Sequence, residues 1–363
     1  MSQTIISILF TCLVATSLSI PSTAQDITAY HDNRQDFYVF DKGSFRQLEY
    51  LPVKEFKFDN PYVAYISNDS KFKVYDDGVK LLHKRLPTWY SVNDSFLVYR
   101  FYNSLYVYKD GKRRVVAKLI VEPVAYNNHA LAYNDNMDFF KVFDFDTTRT
   151  LEQTPVQETR GKENMLVYFD PYDDFKVYTK GQLFTIETSA QPREYKIARN
   201  IVAYRDYSDI FKVFYKGEVH ELESFTPKSF HAGQNMVAYV DNTNRFKVFY
   251  KGKVRQLLSY RPSKMGVEKN ILYYTDRNDY LYAFYKGEEV RLETFSPESL
   301  QADQDMLVYQ GLDGGLKAFI NGRQKTITDQ SVQSYALNGS TVRFVPVKNH
   351  LSIYWNDRVY KAY

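Results

Sequence analysis

The sequence predicts an all-β chain in which one short unit of about 35 residues is written ten times, each copy as four strands. Three observations carry this. A phrase recurs as NMVAYVDNTNRFKVFYKGKVRQL at 235–257, NIVAYRDYSDIFKVFYKGEVHEL at 200–222 and NILYYTDRNDYLYAFYKGEEVRL at 270–292. Its central aromatic stands at Tyr30, Tyr65, Tyr99, Tyr133, Tyr168, Tyr204, Tyr239, Tyr274, Tyr309 and Phe344, at intervals of 34 to 36 residues. Within a copy the apolar residues follow strand periodicity and never the helical one. Fixed-period self-similarity marks a repeat architecture, and the copies fill 26–363 with no linker and no second domain.

The segments of a copy, A to D, follow in order. In A, apolar residues alternate: Phe56 and Phe58, Tyr90 and Val92, Tyr195 and Ile197 lie two apart, which gives one apolar face. An Asn or Asp, such as Asn60, Asn200 or Asn235, then turns A into B. B (Val237-Ala238-Tyr239) is apolar on both faces, as in a strand covered on both sides. Polar clusters such as Asp241-Asn242-Thr243-Asn244 lead to C (Phe246 to Tyr250), which is rich in aromatic and β-branched residues. Pairs such as Asp77-Gly78, Asn321-Gly322 and several Lys-Gly supply the positive φ that a two-residue hairpin needs between C and D. D alternates, as in Val254-Arg255-Gln256-Leu257. The connection to the next copy carries Pro52, Pro87, Pro123, Pro155, Pro192, Pro227, Pro262 or Pro297, where the chain leaves a sheet and no ladder N–H is wanted.

Four short antiparallel strands per unit, joined by a proline-bearing crossover, resemble a β-propeller. The likeness is one of architecture, since the sequence holds no Trp-Asp ending, kelch double glycine or sialidase Asp-box. The unit is shorter than the ~40–50 residues of common blades, and ten copies exceed the typical four to eight. One wide ring, two smaller rings and an open β array therefore all stand as outcomes. The first copy begins at B, with Ile27 to Tyr30, so it lacks an A strand, and closure has to come from packing of one blade face on the next.

The chain of 363 residues carries 33 Tyr and 26 Phe, with 47 basic against 43 acidic side chains. That aromatic content excludes intrinsic disorder. The formal charge of +4 gives no reason to expect nucleic acid or a membrane surface as partner. Ile5 to Ile20 is an uncharged apolar run followed by Ser22 and Ala24, small residues at the positions a signal peptidase reads. The expected organisation is a signal peptide over 1–24 and a single repeat domain over 25–363. Sixteen apolar residues fall short of the ~20 of a spanning helix, so a membrane-spanning chain is not expected. Cys12 lies inside the signal, so the exported chain has no cysteine and depends on packing alone. Periplasmic, cell-surface or extracellular residence follows.

Chemistry is sparse. The six histidines occupy unrelated places in the repeat, and neither H-E-x-x-H nor G-x-S-x-G occurs, so no catalytic, cofactor or metal residue is assigned. Asp135, Asp170, Asp206, Asp241 and Asp276 sit at one repeat position and read as turn residues bonding their own backbone. Asp173 and Asp174 exceed that need, and calcium is the alternative reading there. Lys73, Lys141, Lys176, Lys212, Lys247 and Lys317 recur at the second position of C and exchange with tyrosine, which reads as snorkelling at a sheet margin; the other reading is a ring of cations. The middle position of A varies without a shared packing need, and it supplies the candidate partner-binding residues Lys57, Arg160, Lys196, His231 and Gln301, with Trp89 beside them. If A is innermost, these positions line a channel with excess positive charge, suited to an acidic glycan or an acidic protein segment. The functional reading is a secreted, non-enzymatic binding or scaffolding ring for a protein or glycan. The alternative is a polysaccharide hydrolase or lyase with its site at one mouth, but the near-constant period leaves no room for the long loops that build such a pocket.

Overall fold

The computed structural model describes residues 27–119, 121–145, 147–348 and 350–362; the signal-peptide segment, Cys12 included, lies outside them. Ten antiparallel sheets follow one another along the chain, nine of four strands and a first of three. Sheet order is sequence order, A-B-C-D in blades 2 to 10 and B-C-D in blade 1. Blade 1 runs from Ile27 to Glu49 and, among the described residues, has only B, C and D, as its sequence predicts. Blade 7 is representative: A is Ser229–Gly233, B is Met236–Val240, C is Phe246–Tyr250 and D is Lys253–Leu258. Among the described residues no helix is long and apolar enough to cross a membrane.

The two-sided B strand explains the core. Val237 and Tyr239 pack with blade 6, while Met236, Ala238 and Val240 pack with blade 8. Ten apolar clusters result, one for each junction between neighbouring blades. The last joins Tyr30 and Phe40 of blade 1 to Ile353 of blade 10, with Trp355 and Tyr360 packed against them. The array is therefore one closed ring of ten blades, and the two-ring and open-array alternatives fall. Closure comes from face packing: Phe40 lies 5.2 Å from the Tyr360 ring and 6.2 Å from Trp355. In this structure Pro123 departs from its expected place; it stands within the A strand Val121–Tyr126, beside a register shift.

The recurrent lysines are not margin cations. At five junctions a D-strand glutamate accepts from both the B-strand tyrosine and the C-strand lysine of the next blade. Lys73, Lys176, Lys212, Lys247 and Lys317 reach Glu49, Glu152, Glu187, Glu223 and Glu293 at 2.6, 2.9, 2.8, 2.7 and 2.8 Å. Lys176, Lys212 and Lys247 also pair with Asp170, Asp206 and Asp241 at 2.7 to 2.9 Å. Where the glutamate position holds His83 or Leu258, the lysine is Tyr106 or Tyr282, stacked on Tyr99 or Tyr274 at 5.1 and 5.2 Å. Where it holds Thr328, the next blade has Phe344 and Ser352. Lys141 follows Ala117 and pairs with Asp135 instead. Lysine and tyrosine exchange because a partner on another blade exchanges with them.

Candidate functional site

Because strand direction alternates, every A–B and C–D turn lies on one face of the ring, and every B–C turn and D–A connection on the other. Successive A strands lie side by side from blade to blade, and the middle-position residues reach from one A strand to the next. Lys57 Nζ donates to the Tyr90 carbonyl of the next blade at 3.0 Å, and Lys196 Nζ donates to that of Phe230 at 2.7 Å. Gln301 Nε2 donates to the Tyr335 carbonyl at 3.2 Å, and its Oε1 accepts from the Leu337 amide at 2.7 Å. Arg160 lies over the Tyr195 ring at 5.2 Å. His231 is half-buried on blade 7; burial and the Lys196 charge hold its pKa below the ordinary value, opposed by Glu194. Trp89 opens the A strand of blade 3 and packs into the junction with blade 4, so it does not join the others.

The expected excess of positive charge is corrected by the residues two positions earlier. Residues i and i+2 share a strand face, and Glu55, Glu158 and Glu194 sit 3.3, 2.8 and 3.8 Å from Lys57, Arg160 and Lys196. Each cation has its carboxylate.

The A–B turns form a belt around the channel mouth. The Asn128, Gln234 and Asn270 amides donate to the Glu163, Lys269 and Gln304 carbonyls of the following blade at 2.5, 2.6 and 3.3 Å. Those three acceptor residues hold φ of 53°, 42° and 53°, a conformation that costs a non-glycine residue energy. Asn200 bridges its neighbours, accepting from Asn164 Nδ2 at 2.6 Å and donating to Asn235 at 2.9 Å. The belt gathers charge from distant blades. Lys269 lies 3.2 Å from Asp303, and Arg199 lies 3.7 Å from Glu163. Burial and the neighbouring Asp94 push Asp59 up to about 7, against the pull of Lys269. Burial also raises Glu163, opposed by Arg199 and Lys269.

The opposite face has another character. Of the large apolar side chains most exposed in loops, Tyr50, Leu51, Leu86, Leu119 and Phe225 lie in D–A connections. Tyr102, Met137, Tyr172, Tyr207, Leu312 and Val347 lie in B–C turns. None among the described residues lies in an A–B or C–D turn. The exposure is extreme at Leu312 (84%), Tyr50 (82%) and Tyr172 (79%). Sequence reasoning passed over these residues, although Tyr50 and Phe225 share a repeat position two residues before proline. On the same face Asp170 Oδ1 accepts from the Tyr172 and Asp174 amides, as turn chemistry expects. Asp173 accepts from Gln191 Nε2 at 2.6 Å, and Asp174 from the Ser189 amide at 2.8 Å.

A family model described as a 10-bladed beta propeller domain matches residues 21–360. No curated protein matches the sequence. Among solved structures, the computationally designed Ika8 protein is similar at 15% identity and TM-score 0.33, over 91% of this chain and 99% of its own. BamB from Moraxella catarrhalis is similar at 12% identity and TM-score 0.35, over 71% and 90%. The CRINKLY WD40 ectodomain of the Arabidopsis thaliana receptor kinase ACR4 is similar at 7% identity and TM-score 0.34, over 66% and 96%.

Proposed function

The chain belongs to the 10-bladed beta propeller domain family, and from that premise we propose an exported, non-catalytic scaffold that binds a protein partner. The partner docks on the face built from B–C turns and D–A connections. One observation carries this reading: the apolar loop tips gather on that face, while the opposite face presents asparagine, aspartate, lysine and glycine turns. Exposed apolar surface is commonplace when scattered, and its segregation to one side marks an interaction surface. Tyrosine tips suit the task, because each supplies a large amphipathic contact with few rotors to freeze. The inner-strand residues Lys57, Arg160, Lys196 and Gln301 serve to hold neighbouring blades together, since each reaches the next A strand. Export rests on the apolar run before Ser22 and Ala24, and a mature chain beginning at Gln25 by mass spectrometry is its check.

The test compares residues 25–363 with two variants in cross-linking capture from the exported fraction. Tyr50→Ser, Tyr172→Ser, Tyr207→Ser and Phe225→Ser together are expected to abolish capture of the partner. Lys216→Ser, Lys251→Ser and Lys286→Ser, on the other face, are expected to leave it intact. The reverse pattern sinks the proposal.

A further inference from the structure

We infer that the sector of the ring around blade 3 (Trp89–Ala117) docks on an anionic lipid surface through three apolar loop tips flanked by cations. The tips lie on the face of B–C turns and D–A connections. Leu86 stands in the connection into blade 3, Tyr102 in its B–C turn and Leu119 in the connection out of it, at 49%, 65% and 56% exposure. Each has a cation within two positions, namely Lys84 and Arg85, Arg100, and Lys118, and none has a carboxylate that close. Elsewhere on the same face the chemistry is reversed. Tyr50, Met137, Tyr172, Tyr207, Phe225 and Leu312 each have an aspartate or glutamate within two positions. The formal charge of the whole chain, +4, conceals the contrast, because residues 79–119 hold nine basic side chains against Asp94 and Asp110.

The three tips form one patch. Arg85 Nη1 donates to the Tyr102 hydroxyl at 3.0 Å, and Arg100 Nε donates to the Tyr102 carbonyl at 3.1 Å. Ala117, which leads into Lys118, pairs with Leu105, just past the B–C turn. These acceptors are neutral, so they orient the guanidinium groups without cancelling their charge. The same holds along the D strand, the sheet edge opposite A, where Arg113 and Arg114 donate to the Leu82 and Phe145 carbonyls at 3.0 and 3.1 Å. D-strand cations of other blades meet carboxylates instead, Arg46 with Asp77 and Lys325 with Asp357. Among the described residues Lys84, Arg85 and Lys118 pair with no carboxylate. A lipid headgroup layer answers both features at once. An apolar tip enters the acyl boundary while the adjacent cation stays with the phosphates, and an anionic leaflet attracts each such cation. A soluble polyanion would use the cations and leave Leu86 and Leu119 in water; an apolar partner surface would leave the cations unpaired.

Residues 25–363 are floated with vesicles of equal parts phosphatidylglycerol and phosphatidylcholine, and with vesicles of phosphatidylcholine alone. Binding is expected to the first and not to the second, and is expected to weaken as salt is raised. Lys84→Gln, Arg85→Gln and Lys118→Gln together are expected to weaken it at least about tenfold, since each cation near an anionic surface contributes. Leu86→Ser with Leu119→Ser is expected to weaken it several-fold at unchanged charge. Lys216→Gln, Lys251→Gln and Lys286→Gln remove the same charge from the opposite face and are expected to leave binding intact. All of these side chains are exposed, and melting temperatures verify that each variant folds. The inference is overturned if the anionic vesicles are not bound, or if either the charge variant or the leucine variant binds as the parent does. Equal loss from the opposite-face lysines overturns it too. The fourfold variant at Tyr50, Tyr172, Tyr207 and Phe225 is expected to keep vesicle binding, so the protein-docking proposal survives or fails separately.

Discussion

Single residues carry the coupling between blades. Glu223 accepts from Tyr239 at 2.9 Å and from Lys247 at 2.7 Å, and its loss leaves a mostly buried cation with Asp241 alone. Glu223→Leu is expected to cost about 1.5–3 kcal/mol, the usual worth of hydrogen bonds to a charged group. Glu223→Leu with Lys247→Tyr reproduces the Leu258 and Tyr282 arrangement of another junction, and is expected to recover at least half of that loss in urea melts. A double variant weaker than the single one contradicts the coupling. The same cluster sets acid sensitivity. Burial alone raises the Asp241 pKa, but hydrogen bonds from Lys247, Thr243 and the Arg245 amide outweigh it and bring the group to about 2. Its stabilisation is present above the unfolded pKa near 4 and is lost as pH falls toward 2. Asp59 has the opposite sign: held near 7 in the fold, it keeps a proton that the unfolded chain has released, so stability declines as pH rises from about 4 to 7. Asp59→Asn is expected to remove up to one proton's slope, about 1.4 kcal/mol per pH unit, from melts across that range. An unchanged slope refutes it.

At the scale of the strand, the inner edges of blades 4 and 5 approach so closely that a Cβ on Gly161 would lie 1.9 Å from the Tyr126 carbonyl oxygen. Gly161→Ala is expected to force these A strands apart at a cost of about 1–3 kcal/mol, as overpacking does. Gly252→Ala meets nothing within 4 Å but sits at φ 91°, and is expected to cost about 1 kcal/mol through the turn alone. Equal losses, or a neutral Gly161→Ala, count against the close approach. The strands and turns were legible in the sequence because their signals are local. Alternation, paired apolar faces and x-Gly turns need no knowledge of the neighbours, and Lys251 and Gly252 take φ of 50° and 91° as a tight hairpin requires. The lysine column was misread because the explanation of Lys247 is Glu223, in the copy before it. The carboxylates that neutralise Lys57, Arg160 and Lys196 lay two residues away in plain text, and strand alternation alone places them on the same side.

At the scale of the molecule, closure alters what a repeat array implies. In an open array the end units matter least, and blade 1, which has only three strands among the described residues, would be one of them. In the ring every blade has two neighbours, and Phe40 of blade 1 is as buried as Phe249 of blade 7. Phe40→Ala and Phe249→Ala are expected to lose similar stability, about 3–5 kcal/mol each. A much smaller loss at Phe40 indicates an open chain of blades. Ring size was not legible, since it depends on the angle between blades, which no repeat states; the apolar loop face was hidden because its residues are scattered over different turn positions. The closing contact has a further consequence. Trp355 and Tyr360 meet Phe40 across a junction that no covalent connection spans. Nothing in that contact requires that both sides belong to the same molecule, so the blade 10 surface of one ring is equally complementary to blade 1 of another. Such head-to-tail contacts build open filaments when they do not close. Within one ring its own blade 1 is always at hand, at an effective concentration that free copies reach only in the millimolar range. The ring is, in this sense, a one-member polymer: when denaturant loosens the seam in a concentrated solution, the same contact is free to link chain to chain.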